Sequence, residues 1–169
     1  MDMRQSAGKI DFLSYIGGFF DGEGYIGMGL QKTHLKIDGT HDRNILPSVR
    51  FSNTDIRPLE LIKNELSSAG IKCWISCRKG VRRNQKRTDG TAVKDLYDVG
   101  LSGKTQVKQF INLVRPYVSI KGEQMDTVMK FILSREKKME GRGNRKGSGR
   151  AEYSDEEIAL IDELKKLKH

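Results

Sequence analysis

The chain has 169 residues, with 31 Lys and Arg against 22 Asp and Glu, a formal net charge of +9. That length suits one domain with an appendage, and the cationic excess points to polyanionic partners, nucleic acid before an anionic membrane surface. No apolar run nears the roughly 18 residues needed to span a bilayer, and residues 1–6 lack the apolar core of a signal peptide, so an intracellular protein, cytoplasmic or in an organelle matrix, is expected.

Phe12, Tyr15, Ile16, Phe19 and Phe20 recur at helical spacing and give a first helix one broad apolar face. Gly17 and Gly18 interrupt it, and each costs about 1 kcal/mol relative to alanine. The usual compensation is close approach of another backbone. The helix should stop at Asp21-Gly22-Glu23-Gly24, leaving the Glu23 carboxylate beyond a C-terminal end that favours cations, so a bound cation, best a metal, is expected nearby. Asp21 is expected to secure the helix end.

Ile26, Met28 and Leu30 then alternate with Tyr25, Gly27, Gly29, Gln31 and Thr33, the pattern of a half-buried strand. A polar loop over 36–43 leads to a return strand with Ile45, Pro47, Val49 and Phe51 on one face and Asn44, Ser48, Arg50 and Ser52 on the other. Pro47 predicts an edge position or an irregularity. Asn53-Thr54-Asp55 is a helix start, with Leu59, Ile62 and Leu66 running to a stop at Gly70. A second hairpin follows, in which Ile71, Cys73 and Ile75 alternate with Lys72, Trp74 and Ser76. Its loop over 78–91 carries Lys79, Arg82, Arg83, Lys86 and Arg87, and Tyr97, Val99 and Leu101 mark the better candidate for the buried face of the return strand. Cys73 and Cys77, about 13 Å apart on one strand, are too distant for a disulfide and read as packing residues.

Ser102-Gly103-Lys104-Thr105 opens another helix, which Pro116 ends; a further one begins near Lys121 and includes Met125, Val128, Met129, Ile132 and Leu133. Residues 135–150 break the pattern with a basic, glycine-rich run. Ser154-Asp155-Glu156-Glu157 then caps a last helix carrying Ile158, Ile161, Leu164 and Leu167. Two helix-hairpin units predict an α+β fold: an αββαββα core, four antiparallel strands and helices on one face. The expected division is a core over 9–135, a basic linker over 136–153 and an amphipathic helix over 154–169.

Ile16-Gly17-Gly18-Phe19-Phe20-Asp21-Gly22-Glu23-Gly24 resembles the signature nonapeptide of the LAGLIDADG homing endonucleases. The likeness extends through Asn53-Thr54-Asp55 and residues 116–121, over roughly residues 9–135. With one motif per chain, the resemblance implies a homodimer packed through its motif helices (Ile16, Gly17, Gly18 and Phe20) and a saddle-shaped sheet in the DNA major groove. It implies an intron-encoded endonuclease cutting both strands of a long, partly palindromic site. Gly22 would offer its carbonyl and Glu23 its carboxylate to metal; Asn53 matches a polar residue that arranges solvent, and Lys121 a basic residue near the scissile phosphate. Oxygen-only ligands favour Mg2+, with Mn2+ or Ca2+ able to substitute in binding. The groove-facing set would be Tyr25, Gln31, Thr33, Asn44, Ser48, Arg50, Ser76, Arg78, Lys94 and Asp98. Arg50 and Arg78 suit guanine, Gln31 and Asn44 suit adenine, and Arg82 and Arg83 of the basic loop suit phosphate.

Other readings of the same residues remain open. The acid-glycine turn alone is more simply a helix stop. An EF-hand is excluded, because Lys32 stands where the twelfth-position glutamate belongs. The alternative function is a non-catalytic binder on this scaffold, either an RNA-splicing maturase or a DNA-binding regulator. A ribosomal-type RNA-binding protein would leave the Gly17-Gly18 pair unexplained.

Overall fold

The computed structural model describes residues 4–35, 41–80, 94–140 and 153–168, and leaves the side chains of 4–11, 30–35 and 41–43 undescribed. The elements run α1 (Arg4–Glu23), β1 (Gly24–Leu35), β2 (His41–Asn53), α2 (Ile56–Ser68), β3 (Trp74–Arg78), β4 (Leu96–Ser102), α3 (Lys104–Val114), α4 (Gly122–Glu140) and α5 (Asp155–Lys166). A 3-10 turn, Arg115–Tyr117, joins α3 to α4 and places Pro116 where no helix can continue. The four strands form one antiparallel sheet in the order β1-β2-β4-β3. This is the expected α+β architecture, with a fifth helix appended.

The alternation in the strands decides which face is covered. Ile26, Val49, Phe51, Val99 and Leu101 point into the core beneath the helices. Their neighbours Tyr25, Arg50, Trp74 and Ser76 lie exposed on the opposite face. The core centres on Phe20 of α1, Phe51 of β2 and Phe110 of α3. Their rings meet edge to face with centroids 5.5 to 5.8 Å apart, which pins three elements at one point. Full burial of each such ring contributes about 1.5–3 kcal/mol, and each ring pair about 0.5–1.5 kcal/mol more.

Pro47 sits where β2 loses its second neighbour. It pairs with Met28 of β1, while pairing to β4 begins only at Ser48, so no ladder bond is sacrificed there. Helix α2 is capped by Asp55, whose side chain accepts from the Arg57 N–H. Asn53 lies one step outside, its Oδ1 accepting from the Asp55 N–H at 2.9 Å. The Asp55 carboxyl is held down to about 2 by hydrogen bonds from the Arg57 side chain and backbone.

Several features differ from expectation, among them β3, which starts only at Trp74 and takes in Arg78, the first residue of the expected loop. Residues 41–43, assigned above to the first loop, belong to β2. Helix α4 continues to Glu140, past the break in the pattern expected from 135 onward, and Arg135 is buried against Glu157 of α5. Helix α5 carries the expected Ser154–Glu157 capping box, but its buried face is Glu157 and Leu164, with Ile158 left exposed. Of the cysteines, Cys73 packs against the core and Cys77 is exposed. Among the described residues no helix is long and apolar enough to cross a membrane.

Candidate active site and nucleic-acid face

Helix α1 passes into β1 with no intervening residue: Glu23 ends the helix and Gly24 begins the strand. The turn is tight because the chain folds back on Phe20. A Cβ at Gly24 would fall 2.2 Å from the Phe20 ring and 2.5 Å from its carbonyl oxygen. Gly22 and Glu23 are both exposed at this corner.

Two side chains lock the corner from opposite directions. The Asp21 carboxylate accepts backbone hydrogen bonds from Ser119, Ile120 and Lys121 at 2.7, 3.1 and 3.0 Å, and so fixes the segment that enters α4. In return the Lys121 ammonium donates to the Phe20 and Gly24 carbonyls at 2.9 and 2.6 Å, at the end of α1. Each charge sits where the neighbouring helix dipole favours it, anion before α4 and cation after α1. Partial burial pushes the Asp21 carboxyl up, but the three N–H donors and the Lys121 charge outweigh it and leave its pKa below the usual value. Burial lowers the Lys121 pKa, against the pull of the Asp21 and Glu23 carboxylates. Asp21 therefore secures the helix end, as expected, and its partner is the residue matched to the basic catalytic position. No local pattern around either residue signals that pairing, which joins residues 100 apart.

The motif glycines divide between two uses. Gly17 is buried inside the protomer, where an added Cβ would lie 2.3 Å from the Tyr117 carbonyl oxygen. Among the described residues, nothing lies within 4 Å of a Cβ added at Gly18 or Gly22. They lie four apart, on one open strip of α1 beside exposed Tyr15. Of the four residues expected at a dimer face, Ile16 and Phe20 are 1% and 0% exposed in the chain's own core and Gly17 meets Tyr117. Only Gly18 presents open surface. The physical reason is helical geometry, since neighbouring residues point about 100° apart.

The open face of the sheet begins two residues after Glu23. Tyr25, Arg50, Gly100 and Trp74 form one cross-strand row, and Ser52, Asp98 and Ser76 form the next. Asp98, expected to contact DNA, is 2% exposed. It takes a bidentate pair from Arg78, Nε and Nη2 at 2.6 and 2.8 Å, and a hydrogen bond from the Ser52 hydroxyl at 2.5 Å. Burial raises the Asp98 pKa, but Arg78, Ser52 and the charge of Arg50 bring it below the usual value. Arg78 keeps Nη1 and the outer Nη2 proton for an outside acceptor, so the pair presents a pre-oriented fork.

Other members of the expected set are less available. The Asn44 side-chain oxygen accepts from the Tyr153 hydroxyl, which also receives the Ile45 N–H, at the free edge of β2. The Asn53 side-chain oxygen is engaged at the start of α2. Ser48 is half-buried and Lys94 exposed. The side chains of Gln31 and Thr33, and all of Arg82 and Arg83, lie outside the described residues.

Among the described residues no three His, Cys, Asp or Glu side chains gather to hold an ion. The donor set at the corner is one carboxylate and a carbonyl, all oxygen, which fits a hard divalent cation as half of a site. An apolar cleft of about 430 Å³ lies elsewhere, between α1, α2 and α3, lined by Phe12, Ile16, Leu66, Leu113 and Tyr117. Its nearest α1 residue, Ile16, lies seven residues before Glu23, about 10 Å along the helix, and its apolar lining is unsuited to phosphate chemistry.

The order of strands and helices, the motif helix and the open face together define the LAGLIDADG homing-endonuclease fold. The homing endonuclease I-CvuI, solved in complex with DNA in the presence of Mg, is 18% identical. The match covers 95% of this chain and 96% of that one, with a TM-score of 0.53. The archaeal intron-encoded homing endonuclease I-Vdi141I, complexed with DNA, is 16% identical over 93% of this chain and 98% of that one, with a TM-score of 0.54. The LAGLIDADG meganuclease I-AabMI, bound to uncleaved DNA, is 16% identical over 90% of this chain but 43% of its own, with a TM-score of 0.56. No family model matches the sequence, and no curated protein matches it.

Proposed function

We propose that this chain is a metal-dependent endonuclease that binds double-stranded DNA on the open sheet face and acts as a homodimer through α1. One observation carries the reading: an exposed Glu23 carboxylate ends a helix whose outward strip is open at Gly18 and Gly22. A second copy packed on that strip would bring two such corners together, and close helix approach is what paired small residues permit. The structural neighbours support one unit per chain, since the match takes in nearly all of I-CvuI and less than half of I-AabMI.

Glu23 and the Gly22 carbonyl would hold Mg2+, with Mn2+ or Ca2+ able to replace it in binding. The bound ion would supply an activated water and stabilise charge on the leaving oxygen of a phosphodiester. The chain's own residues hold this corner still. Asp21 and Lys121 fix the backbone on both sides of it. Lys121 uses its ammonium on two carbonyls and has a third proton left for water or phosphate. Asn53 still has its amide hydrogens, and they could order solvent. Arg50 and the Arg78–Asp98 fork are suited to guanine edges. Twofold symmetry makes the target partly palindromic and long. The same reading makes the protein intracellular and its gene intron-borne.

The test is cleavage of a plasmid library with Mg2+ by wild type and by Glu23→Gln. Loss of roughly 10²–10³-fold in rate, with DNA binding retained, is the expected result. Undiminished cleavage by Glu23→Gln would remove the site assignment. Specific binding of DNA or RNA by the wild type without cleavage under Mg2+ or Mn2+ would instead support a maturase or regulator.

A further inference from the structure

The open sheet face carries an aromatic feature that cutting DNA does not require. Trp74, the chain's single tryptophan, is 43% exposed on β3. Its benzo ring covers Gly100 of β4: an added Cβ there would lie 2.1 Å from Cζ2 and 2.5 Å from both Cε2 and Cη2. Gly100 is buried beneath it, although it belongs to the open face. A glycine at that register position is what lets the indole settle against the sheet. The next residue across the row is Arg50, exposed and cationic. At the row's far end Tyr25 lies along Gly27 and has the Lys168 ammonium 4.0 Å from its ring centroid. That ring already has a cation on it, so Trp74 is the open platform.

We infer that Trp74, seated on Gly100 beside Arg50, is a stacking site for an unpaired DNA base, and that Arg50, turned to a guanine edge on a paired duplex, takes the adjoining phosphate when the base is unpaired. An indole held against a sheet offers one π-face at little cost in side-chain freedom, and every nucleobase has a face to match it. A fully paired major groove presents base edges and gives such a ring nothing to stack on. The occupant is therefore a base released from its stack, in an opened duplex or a single strand. The net charge of +9 and the arginine next in the row suit that polyanion over an apolar peptide. This inference rests on the proposed nucleic-acid role of the open face.

The sole tryptophan makes the experiment direct. Its emission is followed while the full chain is titrated with a thymidylate oligonucleotide of about twenty nucleotides. A labelled copy of the same strand reports binding by anisotropy, with a blunt duplex and a uridylate strand in parallel. Trp74 emission should fall with the thymidylate strand, and Trp74→Leu should weaken that strand's binding roughly 5- to 150-fold and duplex binding by a smaller factor. Trp74→Phe should keep most of the affinity. Gly100→Ala, which retains the tryptophan but takes away its seat, should lose affinity as Trp74→Leu does, with thermal melts confirming that each variant is folded.

Unchanged emission at saturation, or equal strand binding by Trp74→Leu, would overturn the stacking site. Duplex binding without strand binding would overturn it too, and would leave the endonuclease reading standing. Stronger quenching and binding by uridylate than by thymidylate would overturn the assignment to DNA. Failure to bind any of the three nucleic acids would sink the proposed function as well.

Discussion

Gly17 and Gly18 are neighbours in sequence and opposites in use. Gly17 is closed over by Tyr117 of its own chain, while Gly18 faces outward with none of the described residues within 4 Å of an added Cβ. The contrast extends along α1: Ile16, Phe20 and Asp21 hold the helix to the rest of the protomer, whereas Tyr15, Gly18 and Gly22 lie along a strip that the described residues leave open. The glycine pair thus marks one close approach and one open surface, in different directions. One of them is internal, and only the other is available to a second molecule.

The same substitution at the two positions should separate them most sharply. Gly17→Ala forces a methyl onto a backbone carbonyl that cannot swing aside, so overpacking outweighs the gain in helix propensity. A loss of about 1–3 kcal/mol is expected by denaturant unfolding, and no loss would show that the 3-10 turn yields. Next in size is Asp21→Asn, which weakens three charge-assisted backbone bonds at a half-exposed site and should cost about 1–2 kcal/mol. Because the folded pKa of Asp21 lies below the free value of about 3.9, its contribution is complete above roughly pH 5 and is lost as pH falls through the folded pKa. The gap between wild type and Asp21→Asn should therefore close in acid; a constant gap would point to sterics alone. Smallest is Gly18→Ala, where open space lets propensity act alone and the protomer should gain up to about 1 kcal/mol. Sedimentation of that variant should show weaker self-association. Unaltered association would move the dimer contact off this strip.

What the sequence revealed follows from the range of the interactions involved. Period-two alternation was enough to assign Ile26, Val49, Phe51, Val99 and Leu101 to one face, because burial follows directly from the pleat. Capping residues were legible at Ser154, where the whole motif spans four positions. Non-local pairings were not. Nothing near Asp21 in the chain announces residues 119–121, and nothing near Asp98 announces Arg78 and Ser52. For that reason Asp98 was expected on the DNA and is found beneath an arginine. The sequence places a break in the helical pattern at Arg135, because its partner Glu157 follows only after a further 22 residues. Single-position reading also merged Gly17 with Gly18, which only the three-dimensional packing distinguishes.

The direct passage from Glu23 to Gly24 has a mechanical consequence. A helix joined to a strand without slack, and clamped at the joint by Lys121 on both sides, behaves as a bent lever. Strand β1 has 12 residues, about 40 Å of reach, so a tilt of α1 by roughly 5° would carry the far tip of the strand about 3.5 Å. That is close to one base step of a DNA strand. In the proposed dimer, small errors in how two α1 helices cross would be magnified into errors of reading frame along the groove, and the rigid corner would double as an alignment gauge.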